Sequence, residues 1–279
     1  MARAIRALVD GLPEDVIAID DRGLQYGHGM FETCRIVDGR VPLWSYHRDR
    51  LTSSARRLRV LLDLESIDAD VAGLAATQTT GVVKVLVTAG RGDRGYRNDS
   101  VAARRVVTVF PAPEEIDRRR GVTVRMCRMR LAAQPELAGL KHLNRLEQVL
   151  ARAEWSDPGI AEGLMCDADG HLIEGTATNL FLVLEGRIVT PNLDRCGVAG
   201  VMRRVLIEER PGVDARVEIR DVALAEIDAA EECFLTNAVI GVWPVARVLD
   251  RSSARLQPGR IALRILAALE ARFGFPGPP

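Results

Sequence analysis

Three dipeptides ending in glycine, Asp38-Gly39, Asp169-Gly170 and Glu185-Gly186, each stand between short apolar runs. A two-residue link with glycine second reverses the chain tightly, so each marks a strand–turn–strand unit. FETCRIV and RVPLW flank the first, GLMCD and HLIEG the second, and TNLFLVL and RIVTP the third. VIAID, GVVKVLVTAG, RRVVTVF, GVTVRMCRM, ECFLTNA and VWPVARVL add further strand-like runs. Between them lie segments of helical period. SYHRDRLTSSARRLRVL has Ser45 as its expected N-cap and Leu51, Ala55 and Leu58 on one face. A second helix is expected at about 64–78, and others at HLNRLEQVLARAEW, at VMRRVLIEER after Gly200, and at GRIALRILAALEARF. The pattern is α+β, with antiparallel pairing as its simplest form.

The 279 residues suit one large domain or two smaller ones, and apolar residues at 47% are enough for a sizeable core. The stretch AAQPELAGLKHLN is the best crossover. It divides the chain into an N-terminal α/β domain over 1–132 and a C-terminal α/β domain over 133–279. The tail FGFPGPP is expected to fray. A formal net charge of zero, with basic and acidic residues interleaved, argues against a nucleic-acid partner or an anionic membrane. No apolar run approaches the ~20 residues that span a bilayer. The N-terminus lacks the apolar core of a signal peptide. Cys34, Cys127, Cys166, Cys196 and Cys233 are scattered, which suits a reducing compartment rather than zinc or disulfides. A cytoplasmic protein is expected.

Of 38 cationic residues only Lys84 and Lys141 are lysine. Arginine stays protonated, whereas a lysine can shed its proton and attack a carbonyl. Lys84 sits in an apolar run and can simply project from an edge or the solvent face. Lys141 follows a connection containing proline and glycine and opens a helix-like stretch, so it is the better candidate for chemistry. GRGDRGY is not followed by a helix, which rejects a dinucleotide site. The four histidines lack metal-ligand spacing, so no metal is expected, and no G-x-S-x-G elbow occurs.

A pyridoxal 5'-phosphate site needs an amine, a carboxylate for the pyridine nitrogen, and a cation with exposed N–H groups for the phosphate. The sequence offers Lys141, Glu174 at a strand end, Arg50 on the first long helix, and the amides of Val201 and Met202 after Gly200. Singly these are weak signals: a strand-end glutamate is usually a surface residue, and a glycine before a helix usually a cap.

The wording and order of the segments say more. DRGLQYGHGMFETCRIVDGRVPLWSYHRDRLTSSARRL, GLKHLNRLEQVLARAEW, EGTATNLF, TPNLDRCGVAGVMR and FLTNAVIGVWPV together resemble the fold-type IV pyridoxal-phosphate enzymes over roughly residues 15–250. That family holds branched-chain and D-amino-acid aminotransferases and aminodeoxychorismate lyases. The resemblance implies a two-part fold like that of the D-amino-acid aminotransferases, with the cofactor between the parts, and a homodimer. It implies that Lys141 is the Schiff-base lysine, Glu174 the partner of the pyridine nitrogen and Arg50 the phosphate-binding arginine. Val201 and Met202 match the helix-start amides on the phosphate, with Thr236 and Asn237 as further phosphate-side contacts.

Within the family, three features resemble the lyase branch. HLNRLEQ follows Lys141, where branched-chain aminotransferases carry a glycine-rich stretch and a tyrosine at the position of Leu146. Thr33 stands where those enzymes have glycine, and the resemblance implies that it handles a substrate proton. Taken alone, Thr33 is an ordinary β-branched strand residue. GRGDRGY is similar to a lyase segment and offers Arg94 and Tyr96 to an anionic substrate. The implied reaction turns 4-amino-4-deoxychorismate into 4-aminobenzoate and pyruvate, a step toward folate. The alternative is an amino-acid transaminase of D-amino-acid or branched-chain type; D-amino-acid enzymes also lack that tyrosine. A non-catalytic pyridoxal-phosphate carrier is disfavoured by the presence of both Lys141 and Glu174.

Overall fold

The computed structural model describes residues 3–97, 102–114, 120–249, 251 and 256–276. Contacts divide them into two compact units. The first holds the described residues up to Glu114 together with Lys141–Asn144, and the second holds the others.

The first unit begins with β1 (Arg6–Val9), the short helix α1 (Arg22–Tyr26) and β2 (Gly29–Val37). Helices α2 (Trp44–Leu58) and α3 (Leu64–Ala75) follow, then β3 (Thr80–Thr88) and β4 (Arg104–Phe110). The four strands form an antiparallel sheet in the order β1-β4-β3-β2. Side chains alternate across a strand. Met30, Cys34 and Ile36 of β2 and Val83, Val85 and Val87 of β3 therefore join one core with Leu51, Ala55, Ile67, Val71 and Leu74 from the two helices. Removing such a side chain from water stabilises by about 2 kcal/mol. Phe31 and Thr33 point to the opposite face. In the β2–β3 register Phe31 lies opposite Leu86, and Thr33 opposite Lys84.

Three local expectations fail here. VIAID forms no strand, and Val16 and Ile19 are exposed. The turn at Asp38-Gly39 forms, with φ of 48° and 73°. RVPLW, however, gives only the bridge of Arg40 to Val37, because Pro42 has no N–H to continue a ladder, and β2 pairs with β3 instead. Ser45 lies inside the first turn of α2, whose N-cap position is Leu43, with no side-chain cap.

In the second unit come β5 (Val122–Leu131), α4 (Leu146–Arg152), β6 (Ile160–Asp167), β7 (His171–Gly175), β8 (Asn179–Leu184) and β9 (Arg187–Pro191). They are followed by α5 (Val201–Glu208), β10 (Val217–Arg220), β11 (Val222–Ala223), α6 (Glu226–Ala229), β12 (Glu232–Asn237), β13 (Gly241–Val248) and α7 (Arg260–Phe273). The sheet order is β10-β9-β8-β12-β13-β5-β6-β7-β11, and an additional β7–β8 pairing, Glu174 opposite Asn179, closes the six central strands into a barrel. Closure removes the edges of those strands. Leu164, Cys166, Leu172, Leu180, Leu182, Leu235 and Val245 fill a core of this unit. The pairing is mixed rather than purely antiparallel: β5 runs parallel to β6 and β13, and β9 to β10.

The expected hairpin at Glu185-Gly186 is present, with φ of 50° and 72° and β8 paired to β9. So is the β6–β7 turn, where Asp167 accepts the N–H groups of Asp169 and His171. β5, placed before the boundary expected at 132/133, has its ladder partners in the second unit, because a barrel of this register needs a strand between β13 and β6. The tail holds further than expected: Phe275 is buried, while residues 277–279 lie outside the described residues. Among the described residues no helix is long and apolar enough to cross a membrane.

Candidate active site

Lys141 does not open a helix. His142 instead makes an antiparallel bridge to Met30 of β2: the Phe31 N–H donates to the Lys141 carbonyl (3.0 Å) and the Leu143 N–H to the Gly29 carbonyl (3.0 Å). The Asn144 Nδ2 donates to the Gly27 carbonyl. With the backbone spent on that bridge, α4 starts only at Leu146 and is shorter than the amphipathic pattern suggests. The Lys141 Nζ lies 4.2 Å from the centroid of the Phe31 ring, and the Lys84 Nζ 5.2 Å from the same centroid. Both lysines of the chain thus approach one aromatic ring. Lys84 is half-buried on an interior strand, not at an edge. Thr33 is its partner in the ladder and lies on the same sheet face as Phe31.

On the other face of β2, Glu32 is buried and bound twice by Arg50 of α2. The Arg50 Nε donates to Oε1 (2.7 Å) and Nη2 to Oε2 (2.5 Å). The His47 Nδ1 lies 2.6 Å from the same Oε2. Burial pushes the Glu32 carboxyl up, but Arg50 and then His47 outweigh it and hold it at about 2. Burial also lowers the His47 pKa, against the pull of Glu32, so His47 is neutral at pH 7. Arg94 and Tyr96 lie on an exposed loop. The Arg22 guanidinium donates to the Gly95 and Tyr96 carbonyls, and the Gly95 N–H donates to the Tyr26 hydroxyl. The Tyr96 ring packs edge-on against Tyr26 yet is 89% exposed.

In the second unit, Glu174 is the penultimate residue of β7 and is buried. Its Oε2 accepts the Val198 N–H (2.8 Å) and its Oε1 the Gln148 Nε2 (3.3 Å). The guanidinium groups of Arg145 and Arg203 act on it electrostatically. Burial lowers the Arg203 pKa to about 10, with Glu174 opposing, and Arg203 is held by the Thr190 hydroxyl and the Pro191 carbonyl. Val201 and Met202 form the first turn of α5, whose N-cap Gly200 supplies no capping side chain. That turn therefore keeps N–H groups available to an anion. A Cβ on Gly200 would stand 2.0 Å from the Asn179 Oδ1, so the close approach requires glycine. The Thr236 Oγ1 is buried and has no hydrogen-bond partner among the described residues. Asn237 is occupied locally: its Oδ1 accepts the Val239 and Ile240 N–H groups and its Nδ2 donates to the Ala177 carbonyl.

The first unit therefore contains Lys141, Thr33, Arg50, Arg94 and Tyr96, and the second contains Glu174, Val201, Met202, Thr236 and Asn237. Sequence reasoning missed Glu32, Phe31, Gln148 and Arg203. Glu32 had one legible sign, an acid on a strand face whose other residues, Met30, Cys34 and Ile36, are apolar. It also missed the loop of Asp167, Asp169 and His171, whose ligand atoms lie within 4.8 Å of one another. There Asp167 is committed to turn N–H groups and to Arg195. All five cysteines are buried, and burial raises their thiol pKa values, which keeps them unreactive.

The donor set fits pyridoxal phosphate. An orphaned hydroxyl at Thr236 and an uncapped helix start behind a glycine suit a phosphate. A buried carboxylate held by an N–H and an amide suits a pyridinium.

Residues 29–248 match the model of the class IV amino-transferase family, and the chain belongs to that family. It is 35% identical over 246 residues to the aminodeoxychorismate lyase of Vibrio harveyi, covering 86% of this chain and 90% of that one. The solved 4-amino-4-deoxychorismate lyase from Pseudomonas aeruginosa superposes with a TM-score of 0.91 at 43% identity, covering 96% of this chain and all of that one. The branched-chain amino acid aminotransferase of Escherichia coli, at 21% identity and a TM-score of 0.83 over 97% of this chain and 95% of that one, shares the fold.

Proposed function

We propose that this class IV enzyme is a pyridoxal-phosphate-dependent lyase that converts 4-amino-4-deoxychorismate to 4-aminobenzoate and pyruvate. The carrying observation is the sheet face where the Lys141 Nζ stands over Phe31 and Thr33 pairs with Lys84. An amine and a hydroxyl on one strand face suit a reaction that removes a proton and later delivers one. Likeness to the Vibrio and Pseudomonas lyases supports the same reading.

Lys141 would hold the cofactor, and its amine would take the proton from the amine-bearing carbon as general base. Bound pyridoxal phosphate supplies the electron sink for that step. Glu174, with its oxygens oriented by Val198 and Gln148, would pair with the pyridine nitrogen. The enolpyruvyl group leaves by carbon–oxygen cleavage, and Thr33 passes the proton that its methylene carbon gains. Ring aromatisation makes the elimination strongly downhill. Arg50, the Val201 and Met202 amides and Thr236 would hold the phosphate, with Asn237 shaping the adjoining loop. Arg94 and Tyr96 meet the substrate's anionic groups.

The enzyme acts as a homodimer in the cytoplasm. Leu146, Val149 and Leu150, exposed at one-turn spacing on α4, support a subunit contact. The deciding experiment supplies aminodeoxychorismate without any keto-acid acceptor. Release of 4-aminobenzoate is expected; a strict need for an acceptor would make the enzyme a transaminase.

A further inference from the structure

The tripeptide Phe31-Glu32-Thr33 faces two ways. Phe31 and Thr33 share the face approached by the two lysines, while Glu32 turns to α2. There it accepts from the Nε and Nη2 of Arg50 and lies 2.6 Å from the His47 Nδ1. An ionised carboxylate only accepts, so the neutral His47 carries its proton on Nδ1. The His47 Nε2 is then a buried acceptor without a partner among the described residues. Such an arrangement fixes the plane of the Arg50 guanidinium. Its Nε–Nη2 edge is bound by a strand residue that cannot move without the sheet, and the edge carrying Nη1 lies outside this pair. Arginine binds phosphate through planar, directional N–H groups, so a locked plane sets where a phosphate oxygen must lie.

We infer that Glu32 is a positioning residue for the cofactor phosphate, acting through Arg50. The inference rests on the reading above that Arg50 binds that phosphate. Glu32 itself touches neither cofactor nor substrate. It keeps Arg50 in one orientation, and His47 keeps Glu32 in one orientation.

The test compares pyridoxal phosphate with pyridoxal, which lacks the phosphate, as ligands of the apoenzyme. Equilibrium titration gives a dissociation constant for each, and their ratio reads the phosphate alone. In Glu32→Gln the constant for pyridoxal phosphate is expected to rise about tenfold or more, while that for pyridoxal stays within about twofold. Glu32→Asp retains the charge one methylene short and is expected to show a smaller loss of the same selectivity. It also serves as the test should Glu32→Gln not fold. Equal weakening of both ligands, or no weakening of either, overturns the inference. Arg50→Gln separates the two levels. If its ratio collapses while the Glu32 variants keep theirs, only the positioning role fails. An unchanged ratio in Arg50→Gln overturns the phosphate role of Arg50 and the inference with it.

Discussion

Lys141 stands over the ring of Phe31, its Nζ 4.2 Å from the centroid, on a backbone laddered to that same residue. The side chain is thus fixed at both ends, by a strand pairing and by an aromatic face. Borohydride treatment of the enzyme with bound pyridoxal phosphate should leave one pyridoxyl group, on Lys141, in a peptide map. Lys84→Arg should retain the label and Lys141→Arg should abolish it. Only two lysines are present, so the assignment is unambiguous.

Thr33 shares that strand face and pairs with Lys84. Thr33→Ala is expected to slow 4-aminobenzoate formation by about a hundredfold, the typical size of a lost proton-transfer group. Cofactor affinity should be unchanged, and Thr33→Ser should recover most of the rate. An unaltered turnover number in Thr33→Ala would make the threonine a plain strand residue.

Glu174→Gln keeps an oxygen for the Val198 N–H but removes the charge. Proton abstraction is expected to slow by two to three orders of magnitude, about 3–4 kcal/mol in the barrier. Exchange of the substrate's α-proton with deuterated solvent reads that step directly. Near-normal exchange would remove Glu174 from the pyridine nitrogen.

Acid sensitivity follows from the Glu32 cluster. The Glu32 carboxyl falls from its ordinary 4.5 to about 2 in the folded protein. A depressed acid stabilises fully above its unfolded pKa, and that stabilisation is lost as the pH falls through the folded one. The window is therefore pH 4.5 down to about 2, and the contribution is on the order of 3 kcal/mol. His47, buried neutral, acts in the same direction from its ordinary 6.5 downward. Melting temperatures at fixed ionic strength should decline below pH 6.5 and more steeply below 4.5. Glu32→Gln should be less stable at pH 7 and should flatten the lower limb.

Much of the fold was legible because the governing signals are local. Glu185-Gly186 gave its hairpin, since glycine at a positive φ commits the turn whatever surrounds it. The Asp38-Gly39 turn was equally legible, but not its consequence, because Pro42 stops the second arm and β2 then pairs with a strand some forty residues on. Parallel pairings such as β5 with β6 leave no mark between neighbouring residues. Residue types revealed the candidate site better than environments did. Lys141 stood out as one of two lysines, yet the helix-like letters after it concealed a bridge to β2. Glu32 was hidden because its charge is balanced by Arg50, eighteen residues away.

Lys141–Asn144 belongs with the first unit although the chain on both sides of it belongs with the second. No single cut can therefore divide this polypeptide into its two compact halves. A fragment ending at Glu114 would lack Lys141 and the segment that ladders beside β2, and the complementary fragment would carry the lysine without its sheet. A split-gene version of the enzyme, or a swap of its first half for that of a relative, must carry these four residues as a separate graft.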